Sequence, residues 1–280
     1  MKTKILAAAA ACFLLWSLPC GLAADSSAAQ DDLKALITKI KAKLQEGKTT
    51  EADLAPELKE FDALLAKHKD EKTDEVAQIL FMKAQLYLEV IDNTEKGTEL
   101  VKQIKTDFPD TQLGKSADEV LDSIKKQEES KKVQRALAKG SAFPDFDEKD
   151  VMGKPLSIAK YKGKVVLIDF WATWCGPCVH ELPNVIKAYE KHHDKGFEII
   201  GISLDQDKEK LTKFTKEKNM TWQQYFDGKG WGNKLAVKYG VQSIPATYLL
   251  DGGGKIIGKD LRGEALEQAV ASSVKQLAGQ

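Results

Sequence analysis

Cys175 and Cys178 stand three residues apart, directly after the apolar run Val165–Trp171. This juxtaposition constrains the fold more than any other feature of the chain. A continuous apolar run with a single acid in it, Asp169, reads as a strand buried on both faces, as at the centre of a parallel α/β sheet. A helix is expected after Cys175, which puts the first cysteine at the helix N-terminus and the second one turn in. The free backbone N–H groups and the positive dipole end at that position favour a thiolate. Pro177 lacks an N–H, which the first helical turn tolerates.

Three uses of such a pair compete. As a structural cross-link it closes a ring of only four residues, worth about 2 kcal/mol in the chain-entropy picture. As a zinc site it needs further ligands. No second cysteine pair follows, and His68, His180, His192 and His193 show no ligand-pair spacing. The third use, a disulfide that opens and closes, needs nothing more than the pair itself. The reading is redox exchange, with no metal and no cofactor.

The other two cysteines, Cys12 and Cys20, fall within an N-terminal segment that reads as an export signal. Lys2 and Lys4 precede an apolar run over residues 5–18, and Gly21-Leu22-Ala23 offers a small-x-small cleavage site. Residues 1–23 are therefore expected to be removed in an exported protein, most simply in a bacterial periplasm. An uncleaved or lipid-linked membrane anchor is the alternative. Cleavage takes two of the 42 basic residues and none of the 42 acidic ones, leaving a net charge of −2. A chain without a basic surplus is not built to neutralise nucleic-acid phosphates, so no nucleic acid is expected.

The remaining chain divides by period. Over residues 25–139 apolar side chains recur at helical spacing, for example Leu33, Leu36, Ile37 and Ile40, then Leu58, Phe61 and Leu65. Breaks near Gly47, residues 68–72, residues 92–94 and Pro109 mark five helices. Each buries one stripe, which requires helix-on-helix packing. The spacing of Ala84, Tyr87, Gly97, Ile104, Phe108-Pro109 and Ala117 resembles a tetratricopeptide-type repeat; a plain helical bundle fits equally. Residues 140–145 read as a linker. From 146 to 280 the pattern becomes β-extension, then βαβα–ββα, with strands around residues 165–171, 197–203, 246–250 and 255–259 and a last helix over 264–277.

Asp169-Phe170-Trp171-Ala172-Thr173-Trp174-Cys175-Gly176-Pro177-Cys178, with Ile244-Pro245-Ala246-Thr247 downstream, resembles the thioredoxin fold. More narrowly, residues 143–274 resemble the TlpA/ResA-like exported thiol–disulfide oxidoreductases. The fold class implied is an α/β thioredoxin fold preceded by an all-α helical-hairpin domain. The resemblance implies roles residue by residue. Cys175 matches an exposed nucleophile and Cys178 the resolving thiol, the two closing a redox-active disulfide. Asp169 matches a buried acid that helps Cys178 lose its proton. Glu181 matches a second acid, or else is an exposed helix residue. Pro245 matches a cis-proline facing the cysteines. Ile244, Trp174, Gly176 and Pro177 would border the substrate. His192 and His193, at the far helix end, are expected to be solvated, and Trp222 and Trp231 to serve as core or lid aromatics.

One departure stands out. Thioredoxins carry a Lys on the strand beside the buried acid, and Gly201 occupies that place here. Gly176-Pro177 is the dipeptide of reducing thioredoxins, with potentials near about −270 mV against about −120 mV for strong oxidants. That gap is roughly 7 kcal/mol for a two-electron couple. The expectation is a reductant of disulfide-containing client proteins, resupplied by a membrane electron donor. The family resemblance implies cytochrome c maturation as one such service, and nothing in the sequence names the client. Two alternatives remain: a disulfide oxidase or isomerase using the same residues, and a helical interaction module carrying a redox domain. The sequence leaves the oligomeric state open.

Overall fold

The computed structural model describes residues 28–279. The expected export segment, with Cys12 and Cys20, lies outside the described residues. The chain forms two compact units that divide between Lys126 and Gln127.

The first unit is helical. It contains α1 (Ala28–Gln45), α2 (Ala55–Lys67), α3 (Asp74–Gln85), a π-helical turn (Leu86–Ile91), α4 (Thr94–Asp107) and the start of α5 (Gln112–Ala136). Local chemistry sets the boundaries. Pro56 sits in the first turn of α2, where its missing N–H costs nothing. Thr73 Oγ1 accepts the Val76 N–H at the start of α3, and Asn93 Oδ1 accepts the Lys96 N–H at the start of α4. Asp92, at φ 57°, takes the chain out of the π turn. The apolar stripes read from the sequence are the buried faces: Leu36 and Ile40, Phe61, Ile79 and Leu80, and Ile104 share one core.

The second unit holds a five-stranded sheet. Its strands are β3 (Val165–Trp171), β4 (Phe197–Ser203), β5 (Gln223–Phe226), β6 (Ala246–Leu250) and β7 (Ile256–Lys259), preceded by a small hairpin of β1 (Glu148–Lys149) and β2 (Pro155–Leu156). The strand order is β5-β4-β3-β6-β7, with β3, β4 and β5 parallel and β6 and β7 antiparallel to their neighbours. The helices are α6 (Gly176–His192), α7 (Lys208–Glu217), α8 (Lys234–Lys238) and α9 (Gly263–Ala278). This is the expected thioredoxin fold. Every residue of β3 and β4 is buried, as their unbroken apolar runs require. Each large apolar side chain so buried stabilises by about 1.5–3 kcal/mol, which fixes these strands at the centre. Strand β5 was not legible in the sequence: it is four residues long, and two of them are Gln.

Two expectations are corrected. The division does not fall at residue 140, because the chain from Gln127 onward, including the last turns of α5, belongs to the second unit. Leu137 is fully buried in the sheet core with Val133 against it, and Gln134 Nε2 donates to the Tyr239 carbonyl at 2.7 Å. Residues 140–145 are likewise not a free linker. Gly140 N–H donates to Ile256 O, Ile256 N–H to Ser141 O, and the Phe143 ring packs 4.5 Å from Tyr239. The edge of β7 offers unpaired backbone groups, and this segment satisfies them.

The expectation of a solvated His192 is also corrected, while His193 stays partly exposed. His192 is buried, with Nε2 3.7 Å from Glu267 of α9, and burial holds its pKa down. His193 lies against the Tyr189 ring at 4.5 Å. Packing of α9 on the end of α6 closes a position that looks exposed from α6 alone. Trp222 is core, 5.0 Å from Tyr189.

Candidate active site

The carboxyl ends of β3 and β4 converge with the start of β6, and the cysteines lie there. Cys175 is the N-cap of α6, and Gly176 and Pro177 open its first turn. A disulfide joins Cys175 to Cys178, with the Cα atoms 5.2 Å apart, and the Cys178 N–H donates to Cys175 Sγ at 3.2 Å. The helix N-terminus is thus aimed at the Cys175 sulfur, which favours its thiolate once the bond is reduced. Exposure does not separate the two cysteines: Cys175 is 5% exposed and Cys178 6%. The expectation of an exposed Cys175 is therefore corrected for the disulfide form, in which both sulfurs are held against the first turn of α6. The open surface beside them is aromatic. Trp174 is 54% exposed and Trp231 50%, their rings 6.2 Å apart.

The Ile244–Pro245 bond is cis, and Pro245 directly precedes Ala246, which pairs with Phe170 of β3. Among the described residues no hydrogen bond engages the backbone N–H or C=O of Ile244.

Beneath the disulfide lies a cavity of about 10 Å³. Its walls include Asp169, Cys178, Glu181, Pro245 and Arg262. Burial pushes the Asp169 carboxyl up to about 7; Arg262 draws it down and Glu181 pushes it further up. Glu181 is no free helix residue. Its Oε1 accepts the Gly263 N–H at 2.6 Å and its Oε2 the Asn184 amide at 3.1 Å. Gly263 opens α9, so the Glu181 carboxylate occupies a helix N-terminus, where negative charge is favoured.

Gly201 does lie in register with Asp169, as read from the sequence. The space it leaves is filled by the Gln224 side chain, whose Oε1 accepts the Trp171 indole N–H at 3.0 Å. The positive charge arrives instead from Arg262, in the turn between β7 and α9. Its Nη2 donates to Pro245 O at 2.6 Å and its Nη1 to Thr247 Oγ1 at 2.9 Å.

Sequence reading missed two contributors. Arg262 is one; its signal was available, since the chain uses Lys for every cation except Arg135 and Arg262. Asp205 is the other. It is buried just after β4 and accepts from Thr173 N–H at 3.1 Å, Thr173 Oγ1 at 2.6 Å and Ser203 Oγ at 2.7 Å. These bonds hold the loop that leads into Cys175.

The Redoxin family model matches residues 138–277, half of the chain and all within the second unit. The chain belongs to this family. It is a ResA-like thiol–disulfide oxidoreductase with a thioredoxin-fold domain. The thiol-disulfide oxidoreductase ResA of Bacillus thuringiensis subsp. konkukian is 31% identical over 138 residues, 49% of this chain and 78% of the relative. ResA of Geobacillus thermodenitrificans is 33% identical over 121 residues, 43% of this chain and 68% of that one. Among solved structures, the thioredoxin domain of a thiol-disulfide oxidoreductase from Bacteroides vulgatus is 36% identical, with a TM-score of 0.46, covering 49% of this chain and 99% of that domain. The oxidoreductase is thus recognised through its second unit.

Proposed function

We propose that this oxidoreductase reduces disulfides of client proteins in an exported compartment. The observation that carries the reading is the Cys175–Cys178 disulfide at the start of α6, set between an acid cavity and the cis-Pro245 loop. In the dithiol form, the Cys175 thiolate attacks one sulfur of the client disulfide, and the other client sulfur leaves as a thiolate that takes up a proton. Cys178 then loses its proton to Asp169 and attacks Cys175 Sγ. The second client thiolate leaves and is protonated in turn. The client gains two electrons and two protons, and the enzyme is left as the disulfide seen here. The free backbone of Ile244 would pair with the client chain as a strand, and Trp174, Gly176 and Pro177 would border it.

Burial, with Glu181 beside it, keeps Asp169 a stronger base than an exposed carboxylate and so supports proton transfer near neutral pH. Returning to the dithiol form requires an external donor, which in an oxidising compartment is a membrane-bound dithiol electron carrier. The export signal read in residues 1–23 supports that compartment, and apocytochrome c disulfides are the first client to test. The helical unit would recruit the client.

Insulin-disulfide reduction tests the assignment. Wild type is expected to turn over and Cys175→Ser to be inactive, while Cys178→Ala accumulates a mixed disulfide with its client on a non-reducing gel. A Cys175–Cys178 potential near about −270 mV is expected against a dithiothreitol buffer. A value well above about −200 mV would favour the oxidase reading.

A further inference from the structure

The cavity beneath the disulfide is not the only space at this site. An open groove of about 300 Å³ lies beyond the cis-proline, lined among others by Gln134, Val241, Gln242 and Ser243. Two residues border both spaces: Pro245 and Arg262. Arg262 is therefore part of the wall between the thiol side and the surface where a client would lie.

Its contacts run to both sides. One guanidinium nitrogen donates to the Pro245 carbonyl and the other to Thr247 Oγ1. Thr247 is the cross-strand partner of Asp169 in the β3–β6 pair. The neighbouring residue, Gly263, holds Glu181 through its N–H. A single turn between β7 and α9 thus reaches the cis-proline loop and both acids.

The charges facing Asp169 can be named element by element. From α6 come Glu181 and the Cys178 thiol, from β6 the uncharged Thr247, and from α9 the apolar Leu266. From β4 comes Gly201, covered by the neutral Gln224 amide. The compensating cation comes from Arg262. A lysine could supply the charge, but its single nitrogen lacks the rigid planar pair of donors with which the guanidinium reaches both acceptors.

We propose that Arg262 is a positioning residue with two separable tasks: its hydrogen bonds fix the Pro245 loop on the client side, and its charge keeps the Asp169–Glu181 pair competent to take the Cys178 proton. The proposal rests on the reductase reading above and adds a residue to it. Two variants of the full chain separate the tasks. Arg262→Gln keeps a polar donor and removes the charge; Arg262→Lys keeps the charge and loses the fork.

The experiment measures the pH dependence of kcat/KM and the KM for insulin reduction, with folding of each variant checked by circular dichroism. Arg262→Gln is expected to move the acid limb of the profile upward by about 1 pH unit, the scale set by loss of one nearby opposite charge. Arg262→Lys is expected to leave the limb in place and raise KM several-fold. An unmoved limb in a folded Arg262→Gln, or an unchanged KM in Arg262→Lys, overturns the proposal. The lysine variant keeps the test readable should the glutamine variant not fold. Wild-type turnover in the same assay separates this failure from failure of the reductase reading.

Discussion

Asp169 lies in register with Gly201 across the parallel β3–β4 pair, and the space that Gly201 leaves open is occupied by the Gln224 carboxamide. A Cβ on residue 201 would stand 2.0 Å from Gln224 Oε1. Gly201→Ala is therefore expected to destabilise the redox unit by about 1–2 kcal/mol, by displacing the amide from Trp171. The cost should shrink in the double variant with Gln224→Ala, which removes the obstructing group. Urea unfolding of the four members of this cycle checks the coupling; equal costs in both backgrounds would contradict it.

The burial of Asp169 has a thermodynamic signature. Its carboxyl has a pKa of about 7 in the folded chain against 3.8 for the ordinary group. Between these values the folded state binds the proton and the unfolded state does not. Stability therefore falls as pH rises from about 4 to about 7, by about 1.4 kcal/mol per unit of this difference at most, and is level above it. Asp169→Asn removes that slope. Its stabilisation over wild type is expected to grow from near zero at pH of about 4 to a few kcal/mol at about 8, measured by urea unfolding of the disulfide form.

Asp205 is predicted to matter to stability and rate together. Asp205→Ala removes the acceptor of Thr173 N–H, Thr173 Oγ1 and Ser203 Oγ. Leaving buried donors unpaired should cost about 2–4 kcal/mol. Loosening the loop before Cys175 should lower kcat/KM by up to about 100-fold, as small misplacements of reacting groups do. Parallel unfolding and insulin-reduction measurements on the variant report both effects.

The true start of the redox unit can be tested in the intact chain. Leu137→Ala is expected to destabilise that unit by about 2–4 kcal/mol, the cost of a cavity in a packed core. Four of the five tryptophans, Trp171, Trp174, Trp222 and Trp231, lie beyond Gln127, and the fifth, Trp16, falls in the expected export segment, so tryptophan fluorescence of the chain from residue 24 onward follows the second unit. A Leu137→Ala variant with an unshifted fluorescence transition would restore residues 127–140 to the status of a connector.

Much of this oxidoreductase is written in local signals. The apolar run of β3, the Cys-Gly-Pro-Cys that starts α6, the Ile244-Pro245 loop and the helical stripes each depend on neighbours within a turn or a strand. Backbone geometry and burial of one face are enough to place them. The acid under the cysteines was legible for a similar reason, because a lone carboxyl in a buried run calls for a function.

What the sequence could not decide are meetings between distant residues. Glu181 finds its partner 82 positions away at Gly263, and Arg262 reaches Pro245 across 17. Gln224 takes the place that Gly201 vacates, and the segment around Leu137 and Phe143 closes on the sheet. None of these has a periodic or motif signature. Each exists because the strand order of the sheet brings the β7–α9 turn beside the start of β6, and because close packing lets one missing side chain be filled from the next strand. The sequence by itself determined the reactive pair and its strand–helix setting; the tertiary structure alone decided which charges surround it.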